Sequence, residues 1–221
     1  MPDQEQNAQL FELEVRLREG LSELDQRYTD QQIQKLIQYL SLLDRWNATF
    51  NLTAIKNPDT MLTRHVLDSL AIAPYLHGER FIDVGTGAGL PGIPLAIVNP
   101  HHQYTLLDSN GKKTRFLFQA KALLNLTNVQ EVQQRVELYR AKDGYDGILS
   151  RAFTSLAEMV RSTQHLLAPD GRFFAMKGKL PGLELNQLPK NYHVEAVIKL
   201  TVPQLQEERH LVIIRRRLGK G

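Results

Sequence analysis

The segment FIDVGTGAGLPG occupies residues 81–92. Its first four residues are mostly apolar and predict a buried strand, and the glycines that follow predict a tight turn opening into a helix. Glycine suits such a turn because it lacks a Cβ atom and adopts left-handed backbone angles without steric cost. The segment therefore predicts a strand, a ligand-binding turn and a helix in direct succession.

The spacing of the glycines fits two classes of ligand. Gly87, Gly89 and Gly92 satisfy G-x-G-x-x-G, the fingerprint of dinucleotide-binding proteins. Gly85, Gly87 and Gly89 satisfy D-x-G-x-G-x-G, the pattern of methyltransferases. Asp83 favours the second, since a carboxylate at the strand end attracts the ammonium group of a methionine moiety and repels a pyrophosphate. The turn also starts at Gly85, directly after the strand, so we predict that Asp83 and these glycines bind S-adenosylmethionine.

A second carboxylate is predicted beside this turn. Asp108 ends the next apolar run, residues 104–108, where a carboxylate accepts hydrogen bonds from both hydroxyls of a ribose. The alternative is that Asp108 caps the following helix. Both nucleotide ligands contain ribose, so Asp108 does not discriminate between them.

Outward from the glycine turn, short apolar runs alternate with helical patterns. Helices are predicted at residues 90–98, 112–124 and 155–167, and strands at residues 80–84, 104–108, 129–133, 147–150 and 172–176. This alternation is typical of a doubly wound α/β fold with a parallel sheet. Two last strands, residues 194–202 and 210–215, predict an antiparallel hairpin at the end of the sheet.

The first part of the chain has helical patterns only. Leucines three or four residues apart predict a helix over residues 8–24, and Thr29 with Gln32 forms the capping box of a second helix. A third helix is predicted over residues 60–76, bent or ended by Pro74. We therefore predict an N-terminal helical cap, residues 1–78, followed by the α/β domain, residues 79–221.

Composition excludes several classes of function. None of the 221 residues is cysteine, which excludes disulfides, thiolate metal sites and cysteine nucleophiles, and we expect no metal site. The chain has no run of 18 apolar residues and its start lacks a signal-peptide core, so we expect a cytoplasmic protein with no membrane partner.

Charge is distributed unevenly along the chain. Residues 1–45 contain five Lys/Arg and nine Asp/Glu, a net charge of −4, and residues 46–221 contain 22 and 15, a net charge of +7. A basic body predicts a polyanionic partner such as nucleic acid. The alternative is that these lysines and arginines only solvate the surface.

Longer motifs occur along most of the chain: WNATFNLTAIKNPDTMLTRHVLDSL (46–70), FIDVGTGAGLPGIPLAI (81–97), TLLDSNGKKTRFL (105–117), QRVE (134–137), ILSRAF (148–153) and ERHLVIIRR (208–216). Together these motifs resemble one known family, the RsmG (GidB) family of bacterial ribosomal RNA small-subunit methyltransferases. The similarity extends from about residue 30 to residue 217 and leaves out residues 1–28.

The resemblance implies a fold, an activity and a set of contacts. The fold is the Rossmann-like class I methyltransferase fold, and the activity is methyl transfer from S-adenosylmethionine to N7 of a guanine in small-subunit (16S) ribosomal RNA. The substrate is naked RNA or a pre-ribosomal particle, and we expect a monomeric enzyme. The implied cofactor contacts are Gly85, Leu90, Val136, Glu137 and Arg151.

The predicted chemistry needs no catalytic base. N7 of guanine has a lone pair and no proton, so alignment and exclusion of water are sufficient. Arg151 is the one candidate for a catalytic side chain. Four residues are candidate RNA contacts, with local ion pairing as the alternative: Arg64, His65, Lys177 and Arg209.

Three other functions remain open on the residues alone. A methyltransferase that acts on a small molecule would have the same cofactor-binding residues. A nicotinamide-dependent dehydrogenase would use the other glycine pattern. A non-catalytic RNA-binding module would bind RNA without methyl transfer.

Overall fold

A computed structural model describes residues 2–153 and 155–217 of the chain, with side chains from residue 8 onward in that range. Its centre is a seven-stranded sheet of order β3-β2-β1-β4-β5-β7-β6. The strands are β1 (Arg80–Val84), β2 (Gln103–Asp108), β3 (Val129–Gln133), β4 (Tyr145–Ser150), β5 (Leu167–Lys177), β6 (Tyr192–Leu200) and β7 (Arg209–Arg216).

The first five strands are parallel, and β7 is antiparallel to both of its neighbours, β5 and β6. The predicted α/β fold with a C-terminal antiparallel hairpin is therefore confirmed. Because the chain fills the sheet outward from β1 in both directions, the strand order reverses between β1 and β4. This reversal is the place where open α/β sheets bind ligands.

Three helices connect the parallel strands: α5 (Gly92–Val98), α6 (Gly111–Leu124) and α7 (Leu156–Thr163). Asn110 caps α6 and Ser155 caps α7, each through its side-chain oxygen. The helix predicted over residues 155–167 is too long, because α7 is followed by a 3-10 turn, Gln164–Leu166, and Leu167 already belongs to β5. Another 3-10 turn, Glu184–Asn186, precedes β6.

The N-terminal region is helical, as predicted. Its first two helices are α1 (Pro2–Glu23) and α2 (Asp30–Phe50), and α2 begins with the predicted capping box of Thr29 and Gln32. Helix α1 starts several residues before the predicted boundary at residue 8.

The single helix predicted over residues 60–76 is wrong in detail. Helix α3 (Pro58–Met61) continues through a π-helical turn, Leu62–Leu67, into α4 (Asp68–Leu70). A 3-10 turn, Ala73–Tyr75, follows. Pro74 lies inside that turn, so the helix ends before it, at Leu70.

Two apolar clusters cover the two faces of the sheet. Successive residues of β1 face opposite sides, so Phe81 packs with the N-terminal helices and α6, whereas Ile82 packs with α7. The first cluster includes Leu17 of α1 and Leu43 of α2. The N-terminal helices therefore share their core with the sheet, and the division at residues 78 and 79 stays a prediction.

Within the described ranges, no helix has the length and apolar character needed to cross a bilayer. The same ranges contain no group of His, Asp or Glu side chains arranged to hold a metal ion.

Candidate cofactor and substrate site

The glycine turn connects β1 to α5. Gly85, Gly87 and Gly89 have φ angles of +69°, +61° and +85°, which L-residues with side chains rarely adopt. The backbone N–H groups of Gly85 and Thr86 both donate to the Leu107 carbonyl of β2, at 2.9 and 3.2 Å. The turn therefore begins at Gly85, as the methyltransferase pattern predicts.

Gly92 serves the packing of α5 rather than the turn. A Cβ atom at this position would lie 2.2 Å from Cδ2 of Leu106 in β2. The absence of a side chain at Gly92 thus lets α5 approach the sheet closely.

Asp83 lies beneath the turn and is fully buried. Its Oδ2 accepts hydrogen bonds from the Thr86 hydroxyl at 2.6 Å and from the Gly92 N–H at 2.9 Å. Burial raises the pKa of Asp83 to about 6, although these two hydrogen bonds oppose the shift. Asp83 therefore holds the turn in shape, and direct contact with the cofactor stays a prediction.

Asp108, at the end of β2, is tied to the same turn. Its Oδ2 accepts from the Gly87 N–H at 2.9 Å, and its Oδ1 accepts from the Asn110 N–H at 2.9 Å. Lys113 Nζ lies 3.7 Å from Oδ2, so Lys113 contributes to the site as well as to the surface. Because Asn110 caps α6, the alternative reading of Asp108 as the helix cap is wrong.

A cleft of about 390 Å³ opens beside the turn, at the carboxyl ends of the parallel strands. This volume is within the range of small-molecule sites. Its walls come from the ends of β1, β2 and β4, from the segment after β3, and from α7. The lining residues are Val84, Gly85, Leu107, Asp108, Ser109, Gln134, Arg135, Val136, Glu137, Ala152, Phe153 and Glu158.

Four predicted cofactor contacts meet in this cleft: Gly85, Asp108, Val136 and Glu137. The remaining predicted contacts lie outside the lining, namely Asp83, Gly87, Gly89, Leu90 and Arg151. Gly87 and Gly89 belong to the turn itself and shape the wall through their backbone. Arg151 directly follows β4, and its neighbour Ala152 lines the cleft.

Four of the twelve lining residues were predicted from the sequence. The other eight are Val84, Leu107, Ser109, Gln134, Arg135, Ala152, Phe153 and Glu158. Most of these residues lie within three positions after a strand, which is where ligands bind in this fold. Their place after β2, β3 and β4 was therefore an available signal.

The N-terminal helices also reach the turn. Tyr39 of α2 is fully buried and donates its hydroxyl to the Ala88 carbonyl at 2.7 Å. Burial raises the pKa of Tyr39, so the hydroxyl stays protonated and remains a donor. Nothing in the sequence pattern distinguishes Tyr39 from an ordinary core residue.

The predicted RNA contacts do not share one exposed helix face. Arg64 forms an ion pair with Glu207, in the loop before β7. His65 is 5% exposed, and its Nε2 lies 2.9 Å from the Thr53 hydroxyl. Desolvation and the nearby Arg151 lower the pKa of His65 to about 4, so this side chain is neutral at pH 7. Arg64 is thus paired with a residue distant in the sequence, and His65 is buried away from solvent.

The other two predicted RNA contacts are also ion-paired. Lys177 Nζ lies 3.0 Å from Glu184 Oε2 and 3.5 Å from the carbonyl of Phe153, a residue of the cleft wall. Arg209 Nε donates to Asp68 Oδ1 at 3.1 Å. Asp68 in turn pairs with Arg151 at 3.4 Å.

The residues present fit a nucleoside cofactor. The cleft is polar at Asp108 and Glu137 and apolar at Val136 and Phe153. Each carboxylate oxygen of Asp108 accepts one backbone hydrogen bond and has lone-pair capacity for another. Asp83 Oδ1 is buried without a hydrogen-bond partner in the part of the chain that the structure describes.

Solved structures with the same fold define the class of protein. A Thiobacillus denitrificans SAM-dependent methyltransferase in complex with S-adenosyl-L-homocysteine matches with a TM-score of 0.53 and 14% identity, over 80% of this chain and 98% of that one. TYW2 from M. jannaschii in complex with AdoMet has a TM-score of 0.53 and 16% identity, over 68% of this chain and 75% of that one. At these identities the likeness concerns the fold alone, which is the Rossmann-like methyltransferase fold.

Sequence comparison identifies the family. The family model described as rRNA small subunit methyltransferase G, or GidB, matches residues 32–212. A ribosomal RNA small subunit methyltransferase G from Enterobacter sp. (strain 638) is 54% identical over 187 residues, which cover 85% of this chain and 90% of that protein. Its counterpart from Salmonella arizonae is 55% identical over the same shares. The chain belongs to the GidB family and is an S-adenosylmethionine-dependent methyltransferase.

Proposed function

We propose that this protein transfers a methyl group from S-adenosylmethionine to N7 of a guanine in small-subunit ribosomal RNA. The observation that carries the proposal is the family match over residues 32–212, which includes every element that forms the cleft. The dehydrogenase alternative is excluded by that membership. A small-molecule substrate is disfavoured by the basic body and by the family's description.

The cleft supports a division of roles among the predicted contacts. We propose that Asp108 accepts hydrogen bonds from the ribose hydroxyls, because it lies at the end of β2 with lone pairs available. Gly85, Val136 and Glu137 would form the walls on either side. The turn would hold the cofactor through the shape of its backbone at Gly87, Gly89 and Leu90. Asp83 would support that shape from beneath the turn.

S-adenosylmethionine supplies an electrophilic methyl group when it is bound. The protein's contribution is to align guanine N7 with that group and to exclude water. A base is not required, because N7 carries a lone pair and no proton. Arg151, next to the cleft wall, supports RNA or the cofactor electrostatically in this proposal rather than by proton transfer.

The basic body supports RNA as the substrate. Residues 46–221 carry a net charge of +7. Arg64, in the π-helical turn, and Arg209, at the start of β7, are partly exposed, and Lys177 lies beside the cleft wall at Phe153. We propose that these three side chains contact phosphates, and that His65, being buried and neutral, supports them from inside.

The location of the enzyme, its oligomeric state and the form of its RNA substrate complete the proposed function. We propose that the enzyme acts in the cytoplasm, where ribosomal subunits assemble, and as a monomer, because one chain supplies all walls of the cleft. Naked RNA and a pre-ribosomal particle are the two candidate substrates. Analytical ultracentrifugation tests the monomer, with a concentration-dependent dimer as the contradicting result.

One assay tests the central proposal. Purified protein, tritiated S-adenosylmethionine and small-subunit RNA from cells lacking the chain's gene should give tritium at one guanine, mapped by cleavage at 7-methylguanine. The same assay with assembled small-subunit particles distinguishes the two candidate substrates. Tritium on large-subunit RNA, or at a position other than N7, would contradict the proposal.

A further inference from the structure

A buried carboxylate connects two of the proposed RNA-binding arginines. Asp68 has a side chain only 3% exposed, and each of its oxygens faces a different guanidinium group. Oδ1 accepts from Arg209 Nε at 3.1 Å, and Oδ2 lies 3.4 Å from Arg151 Nη1. On the basis of the proposed function, we propose that Asp68 is a positioning residue that fixes Arg151 and Arg209 for contact with substrate RNA.

The three residues come from separate parts of the fold. Asp68 begins α4 of the N-terminal region, Arg151 follows β4, and Arg209 begins β7. The ion pairs of Asp68 join these elements, and Arg151 Nη2 adds a hydrogen bond to the Arg64 carbonyl at 3.3 Å. Asp68 therefore sets the relative position of two cations that the sheet alone does not bring together.

Charge balance requires such a residue. Two guanidinium groups this close repel each other, and a carboxylate between them replaces the repulsion with two attractions. Arg64 and Arg209 are further paired with Glu207 on the exposed side. With three arginines and two carboxylates, the group keeps a net positive charge that suits a phosphate backbone.

The arrangement connects the cleft to the surface. Arg151 precedes Ala152 and Phe153, which line the cleft, whereas Glu207 is about half exposed. Arg151 Nη1 is buried and has no hydrogen-bond partner within the described ranges, so its contact with Asp68 is electrostatic and it retains a donor. The positioned arginines therefore extend from the methyl-transfer site toward open surface, where a bound RNA strand would continue.

The burial of Asp68 is explained better by the fixed position it gives to two arginines than by a gain in stability. Desolvation offsets most of the attraction within a buried ion pair, so such pairs add little net stability. The same pairs impose strict geometry, and a misplacement of about 1 Å near a reacting group costs about 100-fold in rate. Asp68→Asn would also leave two guanidinium groups without their carboxylate, which destabilises the fold, so the positioning role is measured by methyl transfer and RNA binding of the folded variant.

A double-mutant cycle tests the proposal. The variants are Asp68→Asn, Arg209→Ala and the two combined, with single-turnover methyl transfer to small-subunit RNA as the readout at saturating RNA and cofactor. We expect each single substitution to slow transfer by about 10- to 100-fold. The double variant should be no slower than the slower single variant, because Asp68 acts through Arg209.

Further variants separate positioning from a structural role. Asp68→Asn should lower the rate of methyl transfer far more than the affinity for S-adenosylmethionine, measured by calorimetry, because neither Asp68 nor Arg151 lines the cleft. Asp68→Glu keeps the charge and should recover part of the rate. The matched control is Asp59→Asn, which removes a half-exposed carboxylate paired with Arg16 on the adjoining helix and should transfer at the wild-type rate.

A conservative variant of Arg209, the ion-pair partner of Asp68, keeps the proposal testable if Asp68→Asn fails to fold. Arg209→Lys retains a cation but loses the planar donor that meets Asp68, so it should be nearly as slow as Arg209→Ala. Wild-type rates in Asp68→Asn or Arg209→Lys, or multiplied losses in the double variant, would overturn the positioning role alone. Absence of transfer by the wild-type protein would instead overturn the proposed function, and this inference with it.

Discussion

Asp108 has two roles, one in the glycine turn and one in the cleft, and the sequence alone does not distinguish them. Its carboxylate holds the backbone of the glycine turn at Gly87, and it also faces the cleft where a nucleoside would lie. The sequence predicted a carboxylate at the end of a strand but not its hydrogen bond to the turn. A test of the ribose contact must therefore separate binding from turn geometry.

We predict that Asp108→Asn weakens S-adenosylhomocysteine binding by about 1–3 kcal/mol, the range for a hydrogen-bond partner that loses its charge. Calorimetry with the ribose and 2′-deoxyribose forms of this ligand measures how much the 2′-hydroxyl contributes to binding. Removal of the 2′-hydroxyl should cost affinity in the wild type and little in Asp108→Asn. Equal losses in both proteins would show that Asp108 supports the turn only. Asp170→Asn, at an exposed carboxylate, is the control.

The buried carboxyl group of Asp83 should make the stability of the protein depend on pH. Its pKa is raised to about 6 in the folded protein, mainly by burial, so the folded state binds a proton more tightly than the unfolded state does. The stabilisation from this proton is complete below the unfolded pKa of about 4 and is lost as the pH rises through about 6. Asp83→Asn carries no such proton.

The free energy of unfolding of the wild type should therefore fall, relative to Asp83→Asn, by on the order of 2–3 kcal/mol between about pH 4 and about pH 7. Urea denaturation of both proteins at the two pH values measures the difference. A constant difference across this range would show that the pKa of Asp83 is not raised. The cause is the full burial of the Asp83 side chain, for which the sequence had predicted a contact with the cofactor.

At the scale of elements, the glycine turn was predictable and the third helix was not. Left-handed angles at three glycines follow from the chemistry of a residue without a side chain, so the pattern identifies the turn. The π-helical turn at Leu62–Leu67 has no comparable signature. It directs His65 toward Thr53 and Asp68 toward two distant arginines, and such tertiary contacts are not encoded in local spacing.

Helix α2 supports the turn through one hydrogen bond, from the Tyr39 hydroxyl to the Ala88 carbonyl. We predict that Tyr39→Phe lowers the free energy of unfolding by about 1–3 kcal/mol, because it leaves this carbonyl without its donor. Cofactor affinity should fall as well, since the turn becomes less ordered. Chemical denaturation and calorimetry measure the two effects, and Tyr75→Phe, at a partly buried tyrosine packed against the same core, is the matched control. Unchanged stability would show that water replaces the hydroxyl.

At the scale of the whole molecule, the parallel sheet followed from the alternation of strand and helix patterns, whereas the order of its strands was not predicted. The position of the N-terminal helices did not, because amphipathic leucine spacing shows that a face is buried but not what buries it. In the structure these helices complete the core on one face of the sheet. We therefore predict one cooperative unfolding transition for cap and α/β domain, measured by calorimetry, and two separate transitions would contradict it.

The uneven charge predicts where RNA binds. Phosphate contacts release counterions, so the affinity for small-subunit RNA should fall steeply with salt, with a slope that reports the number of contacts. Arg209→Ala should reduce that slope by about one. Glu19→Gln, on the acidic α1, should leave the slope unchanged. A larger effect of the α1 variant would place the RNA on the N-terminal helices instead.

The target atom determines how methyl transfer depends on pH. Guanine N7 has no proton to lose, so the single-turnover rate with saturating RNA should be flat from about pH 6.5 to about pH 8.5. This range lies above the pKa values of about 6 for Asp83 and about 4 for His65, so neither buried group contributes a slope. Methylation of a hydroxyl would require deprotonation, and the rate would then rise by up to about tenfold per pH unit until the base is deprotonated. Such a rise would overturn the assignment to N7, whereas the methyltransferase class, which rests on family membership, would stand.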